Sequence, residues 1–141
     1  MMLDRITGYW PTGGPAGLGR VRAEKDVDPG AWFFKAHFFQ DPVMPGSLGV
    51  EAMCQLLQWY LAERGIGADL TNPRFEPIAI GERTKWTYRG QITPADRRIT
   101  IELDILEIHG TTVFATAHLW VDGRRIYRLD RFGMRVVRGP E

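Results

Sequence analysis

The chain has 141 residues, and 44% of them are hydrophobic against 25% charged, the balance of a protein that folds around a core of its own. Net charge is +1, from 18 basic and 17 acidic residues, which argues against a nucleic-acid partner. The single cysteine, Cys54, excludes an internal disulfide and fits a reducing cytoplasm; no zinc-type spacing of Cys and His occurs, so no metal site is expected.

Met1 to Arg5 lacks the apolar core of a secretion signal, and no stretch approaches the ~20 apolar residues of a membrane span. The doubled methionine fits a domain cut from a longer chain, and residues 1–141 are read as one domain. Leu3–Trp10 reads as a strand or turn, followed by a glycine-rich loop to Gly19. Arg20–Val27 reads as a strand closed by the turn Asp28-Pro29-Gly30. Trp32 to Phe39 is dense in aromatic residues and is broken by Asp41-Pro42 and Pro45-Gly46.

Ser47 to Arg64 reads as the clearest element, a helix with Ser47 as N-cap and Gly65 as stop signal. Apolar residues cover most of its circumference, so it is expected to be buried nearly all round. Ser47, Glu51, Gln55 and Gln58 fall within one sector of about 80°. The helix therefore carries one narrow polar stripe. Ile66–Glu82, rich in Gly and Pro, reads as a long connection. Strands are expected over Lys85–Ile92, Arg98–His109, Thr112–Val121 and Arg125–Val137, with Asp122-Gly123 as a hairpin turn. One apolar helix followed by antiparallel strands predicts an α+β fold, a curved antiparallel sheet wrapped around one long central helix.

The chemistry concentrates between His37 and Glu51. A carboxylate on an apolar helix needs a partner, a shifted pKa or a functional pocket beside it. An imidazole takes or gives a proton near neutrality. Removing water across a Cα–Cβ bond needs a base for the α proton and an acid for the departing hydroxyl, and His37 with Glu51 suits that pair. Gly46 and Ser47 open the helix, where backbone N–H groups lack intrahelical partners and the dipole favours an anion such as a developing thioester oxyanion.

The stretch HFFQDPVMPGSLGVEAMCQLLQWYL, residues 37–61, resembles the active-site motif of the 3-hydroxydecanoyl-acyl-carrier-protein dehydratase/isomerase family, and more closely the dehydratase domains of polyunsaturated fatty acid synthases. Thr87–Pro94 and Val121–Tyr127 look like later strands of the same family, and the likeness runs from about Leu18 to Val137. The resemblance implies the hotdog fold and dehydration of 3-hydroxyacyl thioesters carried on the phosphopantetheine of an acyl carrier protein, without a further cofactor. It places His37 on the catalytic histidine, Glu51 on the catalytic acid, Gly46 on the residue whose amide holds the thioester carbonyl, and Gln55 on a glutamine that orients the acid. Glu51 stands where the isomerising members have Asp, and Ser47 where many of them have Cys. The first of these weighs against isomerisation. The family completes its site across a pair of hotdog units, so a homodimer or a tandem hotdog pair is expected.

Plainer readings apply elsewhere. His109 beside Gly110 reads as solvated, His118 as structural, Asp41 as a turn residue and Cys54 as a small core residue. The arginines 124, 125, 128, 131, 135 and 138 read as a solvated strand face, with carrier-protein docking as the functional alternative. The competing functions are a dehydratase/isomerase, a hotdog thioesterase, and a non-catalytic hotdog that binds acyl chains or scaffolds a synthase.

Overall fold

The computed structural model describes residues 3–27, 46–70, 73–77, 85–88, 90, 92, 93 and 95–138, with the backbone alone for 46–50, 76, 77 and 85–88. The elements in chain order are β1 (Arg5–Trp10), β2 (Arg20–Asp26), α1 (Gly46–Glu63), β3 (Pro73–Pro77), β4 (Lys85–Tyr88), β5 (Arg98–His109), β6 (Thr112–Val121) and β7 (Arg124–Arg138). The seven strands form one sheet in the order β1-β2-β5-β6-β7-β3, with β4 also on β7, and every pairing is antiparallel. This is the curved α+β sheet expected from the sequence, and α1 lies over β2, β5, β6 and β7. Among the described residues no helix is long and apolar enough to cross a membrane, and no group of three or more His, Cys, Asp or Glu is placed to hold a metal ion.

Strand alternation builds the core. On β6 the buried residues are Val113, Ala115, Ala117, Leu119 and Val121, every second position. On β5, Ile99, Ile101, Leu103 and Ile105 turn the same way, and α1 answers with Met53, Leu56, Leu57, Tyr60 and Leu61. Each Val, Leu, Ile or Met among them contributes roughly 1.5–3 kcal/mol on burial. The register shifts of β5 between Ile105 and Glu107 and of β7 opposite Thr116 are bulges, and Arg131 sits at φ 46 within the second. Bulges bend a strand and raise its twist, which curls the sheet over the helix.

The turns follow the sequence. Asp122 and Gly123 both take positive φ, 49 and 83, as a two-residue hairpin with right-handed strands requires. The Asp122 carboxylate accepts from the Arg98 amide at 2.9 Å, fixing the turn to the start of β5. Gly65, at φ 68, ends α1. Its amide bonds to the Ala62 carbonyl, and the Ile66 amide reaches the Leu61 carbonyl at 3.0 Å, which satisfies carbonyls the helix leaves over.

Three expectations change. The supposed connection Ile66–Glu82 contains β3, which pairs with the last five residues of β7. Its prolines stand at its two ends and its strand lies at the sheet edge, where proline is tolerated; a five-residue run is too short to show alternation. The strand beginning at Lys85 stops at Tyr88 rather than Ile92. Most relevant to function, α1 is not buried all round. The sheet covers the arc holding Ala52, Met53, Leu56, Leu57, Tyr60 and Leu61, whereas Glu51 is exposed and Cys54, Gln55, Gln58 and Trp59 are partly exposed. A single curved sheet encloses one side of a helix, so the polar stripe faces outward. The turn at Asp28-Pro29-Gly30 and the aromatic run 32–39 lie outside the described residues.

Candidate active site

Two of the expected site residues, Glu51 and Gln55, meet on the polar stripe of α1. Glu51, Gln55 and Gln58 recur at intervals of four and three residues, so successive turns bring them to one face. Together with Trp59, with Leu3 and Asp4 just before β1 and with Arg5 and Ile6 at its start, they line a cleft of about 640 Å³, within the range of small-molecule sites. Leu3, Ile6 and Trp59 make its apolar walls, and Glu51, Gln55 and Gln58 of α1 with Asp4 and Arg5 opposite supply its polar groups.

The N-terminal arm is tied down where it borders the cleft. The Asp4 carboxylate accepts from the Asp26 amide at 2.8 Å. The Arg5 guanidinium donates to Glu24 at 3.0 Å and to Asp26 at 2.9 Å. That pairing holds the Asp26 carboxyl below the usual carboxylate range. Arg5 is thus engaged with β2, and among the described residues no arginine or lysine lies within ion-pair distance of Glu51.

Gly46 and Ser47 are the first two residues of α1, one turn before Glu51. The first turn holds no acidic residue, so the positive end of the helix dipole is not neutralised from within the helix. The structure therefore brings Glu51 and Gln55 into one cleft and sets the Gly46 and Ser47 amides at the near end of the same helix. His37 lies outside the described residues.

Cys54 borders the stripe, and burial together with the nearby Glu51 charge pushes its thiol up to about 11. A thiol held there is a poor nucleophile at neutral pH, in keeping with a packing role. His109 is exposed. His118 is partly buried on the outer face of the sheet, far in the fold from the stripe of α1, and burial first and then Arg125 and Arg128 lower its pKa. Arginines 124, 125, 128, 135 and 138 are exposed along β7, and Arg131 pairs with Glu107.

Sequence reasoning missed two contributions. Leu3–Ile6 forms one wall of the cleft, although the N-terminal segment reads only as a strand or turn. Glu102 and Asp104, on the outer face of β5, are 8% and 9% exposed, each bound by arginines of β2. The alternation of Arg20 and Arg22 against Glu102 and Asp104 is visible in the sequence, but the pairing of β2 with β5 that matches them is not.

Comparison with known proteins bears on the family and the fold. Residues 1–130 match the family described as FabA-like domain. The chain is 35% identical over 143 aligned positions to one of the subunits of the polyunsaturated fatty acid synthase of Thraustochytrium sp.; the alignment takes in 97% of this chain and 9% of that protein, so the chain spans less than a tenth of its relative's length. Among solved structures, the dehydratase heterocomplex ApeI:P from Xenorhabdus doucetiae superposes with a TM-score of 0.66 at 13% identity, over 100% of this chain and 84% of that one. The fluoroacetyl-CoA thioesterase FlK superposes with a TM-score of 0.64 at 14% identity, over 84% and 86%. Both carry the hotdog architecture, a curled antiparallel sheet about one helix. On the match across residues 1–130, this chain belongs to the FabA-like domain family.

Proposed function

We propose that the chain dehydrates 3-hydroxyacyl thioesters, delivered on the phosphopantetheine of an acyl carrier protein, to trans-2-enoyl thioesters. The observation that carries this reading is Glu51: a carboxylate without a cationic partner among the described residues, beside Gln55, in a cleft with apolar walls one turn inside the first residues of α1. His37 takes the α proton. The C–H electron pair becomes the Cα–Cβ π bond, the Cβ–O bond breaks, and Glu51 gives its proton to the departing oxygen, which leaves as water. The Gly46 and Ser47 amides hold the thioester oxygen while it carries negative charge, and Gln55 orients Glu51. Membership of the FabA-like family and the relative in a polyunsaturated fatty acid synthase support the substrate class. A second hotdog unit, from another copy or a tandem neighbour, would cover the outward stripe of α1, and the cytoplasm is the expected location.

The reverse reaction gives the test. Hydration of a trans-2-enoyl thioester is followed by loss of its conjugated absorbance, and the protein should catalyse it, with both His37→Ala and Glu51→Gln lowering the rate ~10²–10⁴-fold. Full activity in either variant overturns the assignment of roles. The thioesterase reading has support in the shared fold of FlK. It predicts release of free thiol instead, which a thiol-reactive dye reports in the same cuvette. Appearance of a 3-enoyl product would favour the dehydratase/isomerase.

A further inference from the structure

Glu51 is the first and Trp59 the last of the described α1 residues that line the cleft. A rise of 1.5 Å per residue separates them by roughly 12 Å along the helix axis, and eight residues rotate Trp59 about 80° toward β1. The indole is not loose there. The Tyr9 ring of β1 meets it edge to face, with centroids 5.4 Å apart and planes at 89°. Tyr9 makes a second edge contact with Tyr60, at 6.3 Å and 87°. Tyr60 is fully buried, and its hydroxyl donates to the Leu18 carbonyl at 2.9 Å. Gly19, at φ 141, lets the backbone pass that ring: a Cβ there would stand 3.0 Å from it. The wall of the cleft at Trp59 is thus backed by Tyr9, then Tyr60, then the chain leading into β2. Aromatic pairs of this kind are worth ~0.5–1.5 kcal/mol each beyond burial, so a ligand pushing on Trp59 meets a braced surface.

We infer that Trp59 is the specificity-determining wall that limits how long an acyl chain the cleft accepts, with Tyr9 as its positioning residue. The inference rests on the reading of the cleft as an acyl-thioester site and extends it to the class of acyl group. With carbon–carbon bonds of about 1.5 Å in a zigzag, that roughly 12 Å of helix takes an extended chain of roughly eight to ten carbons laid alongside it. Chains of that length and shorter fit between Glu51 and Trp59, and longer ones must displace the braced indole.

The experiment measures kcat/KM for hydration across a series of trans-2-enoyl thioesters running from short to long, in the wild type, Trp59→Ala, Trp59→Phe and Tyr9→Ala. The wild type should lose efficiency beyond about ten carbons. Trp59→Ala should raise the long-to-short ratio of kcat/KM at least about tenfold, and Trp59→Phe and Tyr9→Ala should move it the same way by less. An unchanged ratio in a folded Trp59→Ala overturns the inference and leaves the dehydratase reading standing. If Trp59→Ala does not fold, Trp59→Phe, which keeps a ring against Tyr9, decides by the same criterion. A wild type inactive on every length sinks the functional reading itself, a result distinct from an active enzyme whose length profile ignores Trp59.

Discussion

Two groups of carboxylates in this protein have opposite surroundings. Glu102 and Asp104 lie on the outer face of β5, almost fully buried, and their charges are met: Arg20 donates to Asp104 at 2.7 Å and Arg22 to Glu102 at 2.9 Å. Glu51 lies on α1, exposed, beside apolar walls and glutamine amides, with no arginine or lysine within ion-pair distance among the described residues. A carboxylate bound by guanidinium groups has its acceptor oxygens taken up by the fold and turned away from any ligand. Burial alone is therefore a poor guide to chemistry here. The carboxylates that burial singles out are structural, and the exposed one that faces a cleft is the candidate acid.

The sharpest way to break that contrast is to remove Glu51. Glu51→Gln should lower the hydration rate ~10²–10⁴-fold, the range for a positioned general acid, and shift unfolding free energy by no more than about 0.5 kcal/mol, as for an exposed side chain. Steady-state kinetics and urea denaturation read the two effects. A destabilised protein with its activity intact would reverse the roles given to the two groups. The thiol next to Glu51 gives a second reading of the same stripe. With its pKa pushed up to about 11, Cys54 should react with iodoacetamide near pH 8 about a hundredfold more slowly than an unshifted thiol, since only the thiolate attacks. The rate should climb up to about pH 11 and then level. Burial is the larger cause and the Glu51 charge the smaller, so Glu51→Gln should speed alkylation, though modestly.

How far these features are legible in the sequence follows from the range of the forces behind them. The β5–β6–β7 meander and α1 are readable because alternation, the Asp122-Gly123 turn and the Gly65 stop are local signals. The stripe of Glu51, Gln55 and Gln58 is readable because helical spacing alone puts them together. The outward direction of that stripe is not, since it depends on how much of a helix one sheet can cover. Nor is β3: its strand character comes from the free edge of β7 rather than from Pro73-Arg74-Phe75-Glu76-Pro77 itself. The cleft wall from Leu3 to Ile6 depends on β1 joining β2 at the sheet edge, a contact made across the glycine-rich loop. His37 stands out through a motif alone and lies outside the described residues.

The outer face yields a smaller effect, on stability alone. Arg20 serves both acids, at 2.7 Å from Asp104 and 3.3 Å from Glu102, whereas Arg22 serves only Glu102. Arg20→Ala should therefore cost more than Arg22→Ala. A buried group left short of a partner costs about 1–3 kcal/mol. The arginine side chains are themselves 39% and 44% exposed, so solvent makes up part of the loss and the lower end of that range is expected. Urea denaturation of both variants at pH 7 gives the order. Hydration activity should stay at the wild-type level in each, because neither arginine lines the cleft.

The smallest effect tests whether the same face responds to pH. His118 sits between Glu102 on β5 and Arg128 on β7 in one cross-strand row, with its ring 5.6 Å from that of Trp120. Its Nδ1 is buried without a hydrogen-bond partner among the described residues. Burial, then Arg125 and Arg128, lower its pKa, and the smaller opposing pull of Asp104 and Glu102 does not offset them. The folded protein therefore binds this proton less readily than the unfolded chain, whose histidine titrates near ~6.5. Where the unfolded state holds more protons, stability rises with pH. The neutral ring's contribution is complete above about pH 6.5 and declines as pH falls from there to the lower folded value. Below that value the slope vanishes. Between about pH 7 and pH 5 the urea midpoint of the wild type should fall relative to that of His118→Phe, because the variant has no proton to take up there. Parallel curves would mean that the imidazole keeps its ordinary affinity for protons in spite of its arginine neighbours.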